Sequence, residues 1–481
     1  MILPLSRASA QDLPQLAPET MGLIQEARAL APEFSADSLM RLADSRLVAD
    51  SAWKRQLLED SFRAGGLAEL PYRKAGEANT DSRSSRAFWN NNLEALTLQT
   101  RAVEAMLELD SQHARTMFEQ IPAPQVPALS CLETGAPNLS AYYQTAANVF
   151  ARGFTAEQRE NLQHIQFLKR VIGQMQSPAH VTPAVKLIFT LALTPEERQE
   201  LVSDFATMLW RINGTARVFG EATFQLVPVS APSNLPPGIR GLPPLLESEP
   251  GQLPPAVVAV APALLPALRS YIVRHVSGPR CSEDVRGGQL PVPVNDFNYL
   301  VSALDPSASF YKPISPAEAN PANDAGTFES HPWWQSDRSR QVLDALKWLN
   351  HGNRNLPGAS RFFTPEERTS EEWNSHFVDA IRLIEGWKES EEDSAEEWFG
   401  MTSEAYELLA ELAPPGRQRE AVMTRYLNLM ETHYSTTSHN LWFTQLKSQW
   451  RSKDPWIVEQ LANSANSVIS FYARMNQKIG E

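Results

Sequence analysis

A helix-start motif that occurs three times constrains the fold of this chain more than any other sequence feature. The copies read TAEQR from Thr155, TPEER from Thr194 and TPEER from Thr364. Threonine as N-cap with Glu or Gln three residues later forms a capping box, and proline at the first helical position costs no hydrogen bond. Each cap contributes about 1 kcal/mol to stability. The motif predicts a chain built from many separately capped helices.

Apolar residues recur at helical spacing along most of the sequence. Predicted helices of the first half cover residues 19–30, 36–47, 51–63, 86–109, 111–121, 139–152, 156–175, 178–191 and 195–213. Those of the second half cover residues 264–276, 297–304, 337–350, 370–387, 395–412, 417–434, 440–451 and 455–475. The sequence therefore predicts an all-α fold.

A proline-rich stretch separates the two sets of helices. Nine prolines fall between Pro228 and Pro255, a density that favours an extended connector over a helix or a central strand. We predict an N-terminal helical domain over residues 11–225, a connector over 226–262 and a C-terminal helical domain over 263–481. The last of these contains nine of the twelve tryptophans.

The predicted helix–turn–helix units resemble those of TPR and HEAT repeat proteins, although the diagnostic consensus residues are absent. The caps at Thr155 and Thr194 are 39 residues apart, close to the HEAT period of about 40–47 residues. The resemblance implies antiparallel helix hairpins stacked as an irregular TPR/HEAT-like array, interrupted by the connector. Such arrays present a concave surface that binds other proteins.

Acidic residues are concentrated in one part of the chain, whose formal net charge is −13. Between Glu366 and Glu411, fifteen Asp and Glu residues stand against three basic residues. The remainder is nearly neutral and lacks the basic footprint of a nucleic-acid-binding protein. We interpret the acidic segment as solvated helix faces, with an acidic surface for a basic partner as the alternative.

The first ten residues suggest export. Ala8-Ser9-Ala10 has the small-x-small pattern of a signal-peptidase site, but the residues before it are too few for a complete signal peptide. We therefore predict that residues 1–10 are the remnant of a longer leader of a periplasmic or secreted bacterial protein. An unstructured N-terminus of a cytoplasmic protein is the alternative. No apolar run reaches the length of a membrane span.

Cys131 and Cys281 are the two cysteines of the sequence. Exported proteins often pair their cysteines. A disulfide between these two residues is therefore one prediction, and two separate thiols are the equal alternative. The cysteines show no zinc-type spacing. Nucleotide-binding glycine loops, metal-binding histidine motifs and nucleophile elbows are also absent from the sequence. We accordingly predict neither a cofactor nor a metal site.

The segment from residue 329 to 337 concentrates the candidate site residues, which are Glu329, His331, Trp333, Trp334 and Asp337. A glycoside hydrolase needs two carboxyl groups flanking a bound sugar, and indole rings suit sugar stacking. In the competing interpretation, Ser336 or Asp337 caps the next helix and Trp334 packs beneath the segment. Helix caps are expected at this position in any case.

Three functional hypotheses follow from these features. The favoured one is a non-catalytic, secreted or periplasmic helical-repeat protein that binds another protein through a concave helical surface. The first alternative is an all-helical carbohydrate-active enzyme, a glycoside hydrolase or lyase, that uses Glu329, His331 or Asp337. The second alternative is a structural component of envelope assembly.

Overall fold

The computed structural model describes residues 15–69, 73–74, 92–126, 135–212, 255–275, 297–298, 301, 312–315, 318, 334, 336–351, 363–364, 366–392, 395–433, 443, 446, 449–451 and 454–480. In these residues, seventeen α-helices account for nearly all regular structure. Two-residue strands at Arg73–Lys74 and Gly135–Ala136 pair antiparallel. The all-α prediction is confirmed.

Ten helices lie between residues 18 and 211. They are α1 (Pro18–Ala29), α2 (Pro32–Asp44), α3 (Ser51–Gly65), α4 (Ala95–Leu107), α5 (Ser111–Glu119), α6 (Leu139–Arg152), α7 (Ala156–Glu160), α8 (Gln163–Gly173), α9 (Val181–Thr190) and α10 (Pro195–Arg211). The remaining seven are α11 (Pro255–His275), α12 (Asp337–His351), α13 (Glu371–Glu385), α14 (Ala395–Leu412), α15 (Arg417–His433), α16 (Pro455–Ala462) and α17 (Ser467–Gly480).

The capping box forms at all three copies of the helix-start motif. Thr194 Oγ1 accepts from the Glu197 N–H at 3.2 Å, and Glu197 Oε2 accepts from the Thr194 N–H at 2.8 Å. Thr155 makes the same reciprocal pair. The third copy differs in outcome, because Thr364 is followed only by a 3₁₀ turn and α13 starts later, with Ser370 as its N-cap.

The arginine that ends each copy of the motif binds the end of a different helix. Arg159 donates to the carbonyls of Phe150 and Ala151 near the end of α6. The other two copies repeat this arrangement, with Arg198 at Ile188 and Leu191 and Arg368 at Leu412. The last carbonyls of a helix lack internal donors, so each arginine satisfies acceptors that would otherwise need water.

Several predicted helices have different limits in the structure. The predicted helix 156–175 is divided into α7 and α8 at Leu162, whose backbone has a φ of 56°. The Leu162 side chain is 53% exposed, so it does not join the buried apolar side chains of α8. Helix α11 begins at Pro255, inside the predicted connector range. Proline is tolerated at a first helical position. Pro262 and Pro266 lie within α11 and are both exposed.

Helices that follow each other in sequence mostly pack against each other, as in the pairs α2–α3, α4–α5, α12–α13, α14–α15 and α16–α17. Helices that are distant in sequence also pack together in the described part of the chain, with α10 on α11 and α17 on α1 and α2. Helices from both sides of the proline-rich stretch are therefore in contact. The division into two domains stays a prediction. Within the described residues, no helix is both long and apolar enough to span a membrane.

Candidate functional site

A cavity of about 590 Å³ lies between α2, α3, α4 and α6. This volume falls in the range of about 300–1,000 Å³ that is typical of ligand sites. Its apolar lining consists of Met40, Ala43, Leu58, Ala105, Leu109 and Ala141. Its charged lining consists of Arg41, Asp44, Lys54, Arg101, Glu104 and Glu108. Uncharged polar groups complete the wall, so the cavity can contact both apolar and charged parts of a ligand.

The helical period explains why these side chains converge. Arg101, Glu104 and Ala105 of α4 and its C-cap residue Glu108 follow a spacing of three and four residues, which places them on one face. The opposite face of α4, which includes Ala102, Val103 and Met106, is fully buried. The amphipathic pattern therefore packs one side of the helix into the core and turns the other toward the cavity.

A buried aspartate anchors two of the cavity arginines. Asp37 is only 2% exposed, and its carboxylate accepts from Arg41 Nε at 2.7 Å and from Arg101 Nη2 at 2.8 Å. The Tyr472 hydroxyl of α17 donates to the same carboxylate at 3.0 Å. Burial alone would raise the pKa of Asp37, but Arg41 and Arg101 outweigh this effect and lower it. Two guanidinium groups against one carboxylate leave a surplus positive charge here.

Two carboxylates of α4 are held by residues of α6. Glu104 accepts from Asn148 Nδ2 at 3.0 Å. Glu108 accepts from Arg152 Nη1 at 2.6 Å, and this bond lowers the pKa of Glu108. The Asn148 contact fixes the orientation of Glu104 without neutralising its charge.

The structure describes only part of the predicted 329–337 site. Glu329, His331 and Trp333 lie outside the described residues, as do Cys131 and Cys281, so the site and the disulfide both stay predictions. Ser336 is the N-cap of α12, since its Oγ accepts from the Ser339 N–H at 2.9 Å. Asp337 is the first residue of that helix, and its side chain is 95% exposed beside Arg340.

Trp334 packs against other side chains. Its ring centroid lies 5.8 Å from that of Trp387, and its backbone N–H donates to Met401 Sδ at 3.3 Å. The backbone of Trp334 has a φ of 67°. In this described part, Ser336 and Trp334 have the capping and packing roles of the competing sequence interpretation.

The cavity residues were missed by sequence reasoning. A weak signal exists, because Asp37 and Arg41 form an i,i+4 pair within a helix of otherwise small and apolar buried residues. Nothing in the sequence links this pair to Arg101, which follows a separate loop. Groups of three or more possible metal ligands do not occur among the residues that the structure describes.

Comparisons with protein-family models, with curated proteins and with solved structures find no match to this chain.

Proposed function

We propose that this protein is a non-catalytic binding protein that holds a segment of another protein in the cavity between α2, α3, α4 and α6. The observation that carries the proposal is the lining, which combines apolar side chains with cations and anions. Arg101, Glu104 and Glu108 of this lining are held by residues of neighbouring helices. Protein interfaces combine an apolar centre with polar and charged groups at the rim. A peptide segment offers both kinds of surface.

The ion pairs at the cavity suit recognition better than proton transfer. A general acid that works near neutral pH needs a raised carboxyl pKa. The pKa values of Asp37 and Glu108 are lowered by their arginine partners. Asp37 is also almost fully buried. These two carboxylates therefore orient and balance positive charge, and they remain ionised at neutral pH.

The arrangement of α4 and α6 supports the proposal of an irregular TPR/HEAT-like array. Three contacts join these helices, from Asn138 to Glu94, from Asn148 to Glu104 and from Arg152 to Glu108, and each spans 44 residues. A constant offset means that the two helices run parallel in one register. An offset of this size falls in the HEAT range of about 40–47 residues. Equivalent helices of adjacent repeats are expected to lie this way.

We also propose a periplasmic or secreted location, on the basis of the small-x-small pattern at Ala8-Ser9-Ala10. N-terminal sequencing of the mature protein from its host tests this proposal. An N-terminus at Gln11 supports export, whereas an intact Met1 contradicts it.

Filling the cavity tests the binding function. Ala105 lines the cavity from α4, so Ala105→Trp places an indole ring inside it. We expect an immobilised random-peptide library to contain peptides that bind the wild type and lose roughly tenfold or more in affinity for this variant, since steric exclusion removes their site. The matched control is Thr116→Trp on the exposed face of α5, which should bind like wild type. Absence of any bound peptide, or equal binding to Ala105→Trp, would contradict the proposal.

A further inference from the structure

The charges on the cavity wall are separated along its length. On α4, Arg101 is followed by Glu104 one helical turn later and by Glu108 after a further turn. With a rise of 1.5 Å per residue, the Cα atoms of Glu104 and of the C-cap residue Glu108 lie about 4.5 Å and about 10 Å beyond that of Arg101 along the helix axis. The Arg101 side chain extends the other way, since its Nη1 donates to the Asn92 carbonyl. Positive charge therefore precedes negative charge in the direction of α4.

Helix α2 repeats this order in the same direction. Arg41 precedes Asp44 by one turn on α2, and both line the cavity. A short connection joins α2 to α3, which makes these packed helices antiparallel. Gly65 at the end of α3 lies against Leu98 in the first turn of α4, and Arg55 near the start of α3 pairs with Asp110 just after α4. The helices α3 and α4 are therefore antiparallel too. Hence α2 and α4 run parallel, and their charge gradients add.

Each end of the cavity has a surplus of one sign. At one end, Arg41 and Arg101 share the single carboxylate of Asp37. At the other end lie Asp44 and Glu104, together with Lys54 from the first turn of α3. One positive charge is left over at the first end and one negative charge at the second. A ligand that carries a carboxylate and a cation about one helical turn apart would match both ends.

We propose that the cavity takes the end of a peptide chain whose last residue is Lys or Arg. The terminal carboxylate lies at Arg41 and Arg101 and accepts charge-assisted hydrogen bonds from them. Both arginines keep their bonds to Asp37, and Arg101 also keeps its bond to the Asn92 carbonyl. The side-chain cation lies toward Asp44 and Glu104, since the four-carbon stem of lysine separates its two charges by about one helical turn. The apolar stem contacts Met40 and Ala105 between them. This proposal rests on the proposed peptide-binding function and names its ligand class.

Four short fluorescent peptides of one neutral sequence test the ligand class by fluorescence polarisation. The first ends in Lys with a free carboxylate, the second ends in Lys amide, the third ends in norleucine with a free carboxylate, and the fourth carries one alanine after the lysine. We expect the first to bind wild type roughly tenfold or more tightly than each of the others, because each lacks or displaces one charge-assisted contact.

Two variants assign each charge to its end of the cavity. Glu104→Gln keeps the size of the side chain and should abolish the preference for lysine over norleucine while retaining the preference for the carboxylate over the amide. Arg101→Gln should abolish the preference for the carboxylate over the amide while retaining the preference for lysine over norleucine. Lys54→Gln removes a positive charge from the acidic end, so it should strengthen binding of the lysine-ended peptide. A gain in affinity cannot result from loss of folding, and thermal unfolding checks the other two variants.

The outcomes separate this proposal from the proposed function. The ligand class is wrong if the four peptides bind equally. It is also wrong if Glu104→Gln removes the preference for the carboxylate and Arg101→Gln removes the preference for lysine. Library peptides whose binding is lost in Ala105→Trp would then still support the binding function. If neither these peptides nor any library peptide binds the cavity, both proposals fail.

Discussion

At the scale of single residues, the carboxylate of Asp37 joins three helices. It lies on α2 beside Arg41, accepts from Arg101 of α4, and accepts from the Tyr472 hydroxyl of α17. The Tyr472 hydroxyl also lies 3.2 Å from the Phe34 carbonyl, so its one hydrogen is shared between two acceptors. A buried carboxylate in this position is stable only because its partners compensate for the lost hydration.

Asp37→Asn should therefore be strongly destabilising. The substitution keeps the shape of the side chain but leaves the Arg41 and Arg101 guanidinium groups without their shared anion. We expect the free energy of unfolding at neutral pH to fall by about 3 kcal/mol, the lower end of the range for breaking a buried ion pair. Urea denaturation followed by circular dichroism measures this value. Asp379→Asn is the matched control, because Asp379 forms an exposed pair with Arg382 and should cost less than about 1 kcal/mol.

The stabilisation by Asp37 should also depend on pH with a definite sign. Because its pKa is lower in the folded protein than the ordinary value of 3.8, the unfolded chain takes up the proton first as the pH falls. The stabilisation is complete above that ordinary value and is lost as the pH falls through the folded pKa. The difference in the free energy of unfolding between wild type and Asp37→Asn should therefore be constant above the ordinary pKa and decrease as the pH falls below it. A difference that vanishes already near neutral pH would contradict the assignment.

At the scale of helices, the helix-start motif has a second function that its sequence did not predict. The capping box accounts for Thr194 and Glu197 of the motif but not for Arg198. In the structure Arg198 donates to Ile188 and Leu191 at the end of α9, and burial lowers its pKa. One short segment thus satisfies N–H donors at the start of one helix and carbonyl acceptors at the end of another. The motif fixes the corner between α9 and α10.

Arg198→Met should therefore weaken this corner. The substitution keeps a long apolar stem but removes both bonds to the end of α9. We therefore expect the free energy of unfolding to fall by about 1–2 kcal/mol. Urea denaturation again gives the value. Arg63→Met is a suitable control, since Arg63 is well exposed and pairs with Asp60 one turn away. Equal effects of the two substitutions would show that the carbonyl contacts contribute nothing.

The sequence predicts helices well because their pattern is local. Helices α6 and α14 have the predicted limits, Leu139–Arg152 and Ala395–Leu412. The break at Leu162 was not predictable, because a leucine with positive φ has no local sequence signal and is fixed by its surroundings. The cavity was not predictable for a related reason. Its wall combines four helices whose mutual arrangement depends on long-range packing.

At the scale of the whole molecule, the last helix closes against the first two. Arg474 pairs with Glu26 at 2.7 Å and Lys478 with Glu19 at 3.2 Å, both across exposed surfaces of α17 and α1. The apolar part of this contact is larger. The ring of Tyr472 stacks on Trp450 with centroids 4.9 Å apart and contacts Phe443 and Phe34 edge-on. Surface pairs contribute little, so the aromatic cluster and Asp37 hold the two ends of the chain together.

Tyr472→Ala should therefore destabilise the helices that line the cavity, although Tyr472 is more than four hundred residues from Asp37 in sequence. Loss of the buried ring and its hydroxyl should cost about 3–5 kcal/mol. Because Tyr472 reaches the cavity arginines through Asp37, amide hydrogens of α2 and α4 should exchange faster in hydrogen–deuterium exchange mass spectrometry. Tyr426→Ala is the matched control, since Tyr426 of α15 is equally buried but belongs to a different part of the chain. Tyr426→Ala should accelerate amide exchange in α14 and α15 before it does so in α2 and α4. Unchanged exchange in α2 and α4 of Tyr472→Ala would mean that the ends of the chain meet without stabilising the cavity.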